Sequence, residues 1–201
     1  METPAAIAQN PDLFVVDLVL DSTPVRMRPL RPDDEAALTR YFLGLSPATK
    51  RVYGPHAFDR ETAVRLCREC DNSRVLRMLA TVPDPADGER VVGYFILVFG
   101  VGADDEARYT ALGIHLDSDR DCTLAPSVAD DFQNHGLGSR LFAHVRETAV
   151  LVGRPRMILM GGVRADNPRA VHFYRKHGFR QVGEFPAGGV NNFDMILDLT
   201  C

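Results

Sequence analysis

Ser127-Val128-Ala129-Asp130-Asp131-Phe132-Gln133-Asn134-His135-Gly136-Leu137-Gly138-Ser139 leads from an apolar strand through two glycines into a helix. Successive backbone N–H groups in such a turn, with the unpaired donors of the helix's first turn, converge on an anion. Gly136 and Gly138 carry no side chain to hold that anion off, and the helix dipole adds to the attraction. An ordinary strand-to-helix turn can also carry two glycines, so the stretch by itself leaves both readings open.

About thirty residues on comes Asn167-Pro168-Arg169-Ala170-Val171-His172-Phe173-Tyr174-Arg175-Lys176-His177-Gly178-Phe179. Asn167 is a good N-cap, Pro168 suits the first helical position, and Gly178 can take the left-handed conformation that ends a helix. Ala170 and Tyr174 are four apart and share a face, which sets a small residue beside a phenol. By position alone Tyr174 could equally be an amphipathic core residue with its hydroxyl at the surface.

Around these two elements the chain reads as alternating strands and helices. Strands are expected at 13–20, 25–28, 74–82, 89–100, 109–116, 123–128, 157–163, 180–185 and 192–199. Helices are expected from Arg31 to Gly44 with Asp33 as cap, near 47–53, at 59–70, from 137 to 152 with Gly153 closing it, and from Pro168 to His177. Pro83-Asp84-Pro85-Ala86-Asp87-Gly88 turns one strand back on the next. No repeat, low-complexity tract or linker divides this order, so the expected product is one α+β domain around a mixed, mostly antiparallel sheet.

The chain has 201 residues, 45% of them hydrophobic and 25% charged, which is enough to bury a sizeable core. A net charge of −4 argues against a nucleic-acid partner held by many phosphate contacts and suits a cationic, amine-bearing one. The start, Met1-Glu2-Thr3-Pro4, has no basic segment before an apolar one, so a cytoplasmic location is expected. Apolar runs such as Val91 to Phe99 are too short to span a bilayer, and no membrane partner is expected.

Four cysteines, at 67, 70, 122 and 201, are too few and too scattered for a disulfide scaffold. Cys67 and Cys70 lie in a helical pattern with no second pair to complete a zinc site, and the six histidines show no metal spacing. Asp117-Ser118-Asp119-Arg120-Asp121 starts like a calcium loop. It lacks the glycine at its sixth position, Cys122, and the glutamate at its twelfth, Val128. No metal is expected.

Together the two quoted elements resemble the GCN5-related N-acetyltransferases. Gln133, Gly136 and Gly138 match that family's cofactor signature, and Asn167, Ala170, Tyr174, Gly178 and Phe179 match its following helix. The resemblance covers about residues 25 to 199. In Val25-Arg26-Met27-Arg28-Pro29-Leu30-Arg31-Pro32-Asp33-Asp34 and Val128 to Gln133 it is nearest to the bacterial domains that modify protein lysines. It implies an N-terminal extension over 1–24 with an extra strand, and an acetyltransferase domain over 25–201. Acetyl-coenzyme A is then the cosubstrate, bound in a cleft between splayed central strands.

The resemblance also assigns residues. The strand around Pro126 and Val128 would pair with the pantetheine arm. The segment Gln133, Asn134, His135, Gly136, Leu137, Gly138 and Ser139 would hold the pyrophosphate, with Asn167 and Tyr174 completing the cofactor site. The acceptor amine, on a small molecule or a protein lysine, would attack the thioester directly, with Tyr174 as the acid that protonates the departing thiolate. A homodimer is left open, as is a non-catalytic module that binds coenzyme A.

The base is where this chain departs from the family. Lysine-modifying relatives carry a glutamate where Thr123 stands, and threonine accepts no proton at neutral pH. Period-two alternation puts Asp121 on the same face, so Asp121 is the expected base, directly or through water, against its reading as a solvated loop residue. Glu106 is the other carboxylate considered. The acceptor pocket is expected from the loops 44–60 and 100–121.

Overall fold

The computed structural model of the protein describes residues 9–199, so Cys201 lies outside it. Nine strands form one sheet: β1 (Val16–Leu20), β2 (Thr23–Pro29), β3 (Val75–Asp84), β4 (Gly88–Val98), β5 (Cys122–Val128), β6 (Arg156–Leu159), β7 (Val163–Arg164), β8 (Arg180–Ala187) and β9 (Val190–Asp198). Among the described residues six further elements are α-helices that flank it: α1 (Glu35–Gly44), α2 (Pro47–Arg51), α3 (Arg60–Arg68), α4 (Ala103–Ala111), α5 (Leu137–Leu151) and α6 (Pro168–Lys176). The strand order is β1-β2-β3-β4-β5-β6-β9-β7, with β8 also on β9. Only β5 and β6 run parallel, so this is the mixed, mostly antiparallel α+β domain that the residue pattern predicts.

Local chemistry sets these elements. Asp21 and Ser22, both at positive φ, form the two-residue turn that joins β1 to β2 with the twist a hairpin needs. In α5, Leu137, Leu141, Phe142, Val145 and Ala149 recur every three or four residues and are buried, so that stripe faces the sheet. Leu38, Tyr41 and Phe42 of α1 and Ala63, Leu66 and Cys67 of α3 belong to the same core. Burying a leucine or phenylalanine side chain contributes about 1.5–3 kcal/mol each, which makes this core the main source of stability.

Several expected elements are corrected. The start of α1 is organised by Asp34 and not by Asp33: its carboxylate accepts from the amide of Arg31 at 2.7 Å and from both terminal nitrogens of Arg28 at 2.7 Å. A short 3₁₀ turn, Pro11–Phe14, takes the beginning of the expected first strand. The segment expected as a strand over 109–116 holds the end of α4, because Asp104, Asp105 and Glu106 favour a helix N-terminus and Gly113 at φ +74 ends it. The strand expected over 157–163 breaks after Leu159 at Gly161 and Gly162, both left-handed. A Cβ on Gly162 would stand 2.8 Å from the carbonyl of Phe193, so the turn is closed to other residues. Cys67 lies within α3 and is buried, whereas Cys70 lies beyond its end; both thiols are free.

Candidate active site

The sheet opens at its parallel pair. Cys122 to Leu124 of β5 pair with Met157 to Leu159 of β6, and there the pairing stops, while β5 continues to Val128 beside β4. The carbonyl of Leu124 accepts from the amide of Met160, so the peptide groups two and four residues on, at Pro126 and Val128, share that edge. Among the described residues no strand covers the edge beyond Leu124. A cleft of about 430 Å³ lies there, between β5, the turn after β6, the start of α5, and α6.

One end of the cleft is built from backbone donors. Asn134 and Gly136 adopt left-handed φ of 67° and 83°, which turns successive amides the same way, and α5 begins at Leu137 with no side-chain cap. Among the described residues, the amides from Asn134 to Gly138 donate to nothing, whereas those of Ser139 and Arg140 return to the carbonyl of Gly136. Gly136 is needed for its conformation. Gly138 is not: its φ is ordinary, and an added Cβ would meet Phe173 at 3.5 Å and Val128 at 3.8 Å, normal contacts. Its missing side chain fits a ligand that comes close to the backbone.

Side chains hold this loop in place. Gln133 donates to the carbonyl of Val128 at 2.8 Å and lies 3.3 Å from the hydroxyl of Thr49. Asp130 accepts from Thr49 and from the amide and hydroxyl of Ser46, which fastens α2 to the same loop. Burial opposes its ionisation, but these hydrogen bonds win and hold its carboxyl below the usual range. Asn167 caps α6 by accepting from the amide of Ala170 at 3.2 Å. His177 meets the hydroxyl of Ser139 at 2.9 Å and ties α6 to α5.

At the inner end stands Tyr174, in the cleft wall and otherwise buried; burial pushes its phenol pKa upward, so it keeps its proton at neutral pH. Val52, Tyr53 and Pro55, from the loop after α2, with Phe95, Leu159 and Met160, complete an apolar lining. Tyr53 is half-buried, but its hydroxyl is shut from solvent and makes no hydrogen bond to the described residues. Its phenol is also raised, first by burial and then by the nearby Tyr94, Tyr41 and Tyr174. Arg169 and Lys176, with His172 between them on one stripe of α6, also line the wall, and the arginine and lysine bring positive charge to it.

Of the residues expected from the sequence, Pro126, Val128, Gln133, Asn134, Gly136, Gly138, Ser139, Asn167 and Tyr174 come together here. His135 is exposed and outside the wall, and the side chain of Leu137 is buried in the core, so these two could offer only their amides. Asp121 is a correction. It precedes β5 at the closed end of the pair, fully buried, where Arg156 donates to both its oxygens at 3.0 and 2.6 Å and the amide of Asp117 donates at 2.7 Å. Counting back two residues from Thr123 led away from the opening, which starts beyond Leu124. Thr123 is buried and donates to the carbonyl of Gly100 at 2.7 Å. The segment 100–121 adds nothing to the wall and Glu106 is exposed on α4, so of the two expected acceptor loops only 44–60 contributes.

Comparison with known proteins accords with this geometry. Residues 87–181 match the acetyltransferase (GNAT) domain family. Among solved structures, the GNAT domain of S. lividans PAT superposes with a TM-score of 0.72 at 21% identity, over 94% of this chain and 98% of that one. An acetyltransferase from Thermus thermophilus does so at 0.59 with 26% identity, over 90% and 97%. Mycobacterium smegmatis RimJ, solved in complex with CoA-disulfide, gives 0.66 at 18% identity, over 92% and 86%. No curated protein matches the sequence. Residues 87–181 thus match the GNAT acetyltransferase domain, and the chain as a whole has the fold of the solved GNAT structures. A GNAT domain implies acetyl-coenzyme A as cosubstrate and acetylation of an acceptor nitrogen. Among the described residues no helix is long and apolar enough to cross a membrane.

Proposed function

We propose that this chain transfers the acetyl group of acetyl-coenzyme A to a primary amine by direct attack, without a covalent enzyme intermediate. The observation that carries this reading is the row of unpaired amides from Asn134 to Gly138, opening into the cleft that holds Tyr174. Those amides, with the N-terminus of α5, suit a pyrophosphate. The carbonyl of Pro126 and the amide of Val128, on the free edge, suit the amide groups of a pantetheine arm, since unpaired strand donors and acceptors must find partners. The stripe Arg169, His172 and Lys176 suits further phosphate.

The thioester supplies the electrophile; the chain supplies position and protons. In this reading Tyr174 gives its phenolic proton to the departing sulfur, and its raised pKa keeps the proton available. Thiol release from acetyl-coenzyme A, dependent on an added amine and matched by an acetylated product, tests the reading. A second reading, a module that binds coenzyme A without turning it over, is favoured by one observation: none of the described residues lining the cleft is an aspartate or glutamate. Tight coenzyme A binding without amine-dependent thiol release would select it.

A further inference from the structure

Thr49 of α2 and the segment that follows this helix, Val52 to Pro55, form one wall of the cleft. Five residues make too short a helix to hold itself in water, and α2 buries only Thr49, so its place is set by what it is tied to. Two ties run to aspartates of the opposite, cofactor half. Asp130 accepts from the amide of Ser46 at 2.8 Å, from its hydroxyl at 2.7 Å and from the hydroxyl of Thr49 at 2.6 Å. It stands just before Asn134, where the free amides begin, and Gln133 donates to the same Thr49 hydroxyl at 3.3 Å. At the other end of α2, Arg51 donates to Asp166 at 3.2 Å, and Asp166 precedes Asn167, the cap of α6 in the cleft wall. Arg164 holds that carboxylate in place with two bonds of 2.8 Å, which bring its pKa down to about 2. The two ties differ in strength. Asp130 gathers three donors at the start of the helix, whereas Arg51 and Asp166 are 59% and 41% exposed and form a weak surface pair.

Resting on the acetyltransferase reading, we infer that α2 is a strap joining the two substrate sites, with Asp130 its hinge and Asp166 its latch, so that acetyl-coenzyme A sets the wall Val52–Pro55 against which the acceptor binds. Neither aspartate lines the cleft, so both are positioning residues that act through α2. A pyrophosphate on the amides from Asn134 to Gly138 fixes the loop that carries Asp130 and Gln133. The same ligand, meeting Asn167 and Arg169 in the wall, fixes the turn that carries Asp166. Ser46 and Thr49 then hold the start of α2 while Arg51 holds its end, and Phe58, packed on Phe42 with ring centres 4.9 Å apart, anchors the far side of the wall. Without the cofactor the exposed latch opens readily and the hinge stays made. Because the strap need be ordered only once, each substrate binds more tightly when the other is present, and by the same factor.

Hydrogen exchange of the peptide 47–56 tests the link to the cofactor with coenzyme A alone, and the peptide 60–68 of α3 serves as reference. Saturating coenzyme A should slow exchange of 47–56 by about fivefold or more beyond any change in 60–68, the lower end of the usual coupling between sites. Asp130→Ala and Arg51→Ala should each lose that extra protection while still binding coenzyme A. Asp130→Asn, which keeps an oxygen for the amide of Ser46, should restore most of it. Affinity for coenzyme A should fall in each variant by no more than the protection it loses, because the coupling is reciprocal. A larger fall would make that residue a direct ligand of the cofactor and overturn its role in the strap. For whichever of alanyl-alanine, 4-aminobenzoate and Nα-acetyl-lysine the parent acetylates, Asp130→Ala should raise the acceptor KM by about fivefold or more at saturating acetyl-coenzyme A, with kcat within about twofold. Equal protection of 47–56 and 60–68 by coenzyme A overturns the inference, as does protection that survives in Asp130→Ala, or an unchanged acceptor KM. Protection of 47–56 with turnover of no amine would uphold the link between strap and cofactor and overturn the acetyltransferase reading alone.

Discussion

Arg156 grips both carboxylate oxygens of Asp121, at 3.0 and 2.6 Å, where Asp121 is wholly buried and Arg156 about one quarter exposed. This pair holds β6 to the start of β5 and leaves Asp121 no free oxygen toward the cleft. Asp121→Asn should therefore lower stability by about 3 kcal/mol, because one member of a buried ion pair is left without its partner charge. Denaturant unfolding would show the loss. Steady-state rates of the folded fraction should keep the parent's kcat and pH profile; a shifted profile would restore Asp121 to the chemistry.

The two glycines of the loop should respond differently. Gly136→Ala forces a side chain into φ +83 and should cost about 1–2 kcal/mol of stability. Gly138→Val should fold normally, since its Cβ meets only ordinary contacts, but should weaken coenzyme A binding by at least about tenfold, about 1.4 kcal/mol. Calorimetric titration and thermal melts separate the two effects. Coenzyme A at about 100 times its Kd should stabilise the parent by about 2.7 kcal/mol, roughly 5–10 °C, and Gly138→Val should lose most of that shift.

Tyr174→Phe should lower kcat by about 10²-fold or more, the range of a general acid, while leaving acetyl-coenzyme A affinity within about twofold. The phenol acts when charge develops on sulfur, not when the thioester binds. Single-turnover kinetics checks this. An unchanged chemical step would remove Tyr174 from the mechanism.

Acid should weaken the fold through two histidines. Burial, with Arg77 and Arg65, depresses the pKa of His56, against the opposing carbonyl of Ala57 and Asp59. Burial, with Lys176 and Arg146, depresses that of His177. The unfolded chain then binds more protons than the folded one below about pH 6.5. The stability these groups contribute is complete above that pH and is lost as pH falls through their lower folded values. Thermal melts from about pH 7.5 to 5.5 should show a smaller decline in His56→Gln than in the parent.

Much of this was legible in the residues. The α5 stripe, the cap at Asn167 and the glycines at 136 and 178 are local signals, and the structure bears out those elements. The strand expected over 109–116 failed although the helix had local signals, the acidic first turn Asp104-Asp105-Glu106 and the closing Gly113; the bond from Tyr109 to the carbonyl of Met195 at 2.8 Å, which holds that helix on the sheet, is long-range and shows in no local window. Asp121 failed because of a distant residue: Arg156, thirty-five residues on, claims it. Tyr53 carried no signal of its own, because an orphaned hydroxyl is a property of packing. Arg169, His172 and Lys176 are legible as a helical stripe in the second stretch quoted, but such a stripe looks the same in sequence as a solvated helix face.

The central claim, an acetyl-coenzyme A-dependent N-acetyltransferase, is tested most directly by following free thiol and acetylated amine together. The measurement incubates the purified chain with acetyl-coenzyme A and a panel of α-amino, aromatic and lysine acceptors. The account predicts one thiol released per amide formed, with rates that depend on the amine and fall sharply in Tyr174→Phe. Saturable binding of coenzyme A with no amine-dependent thiol release from any member of the panel would contradict it.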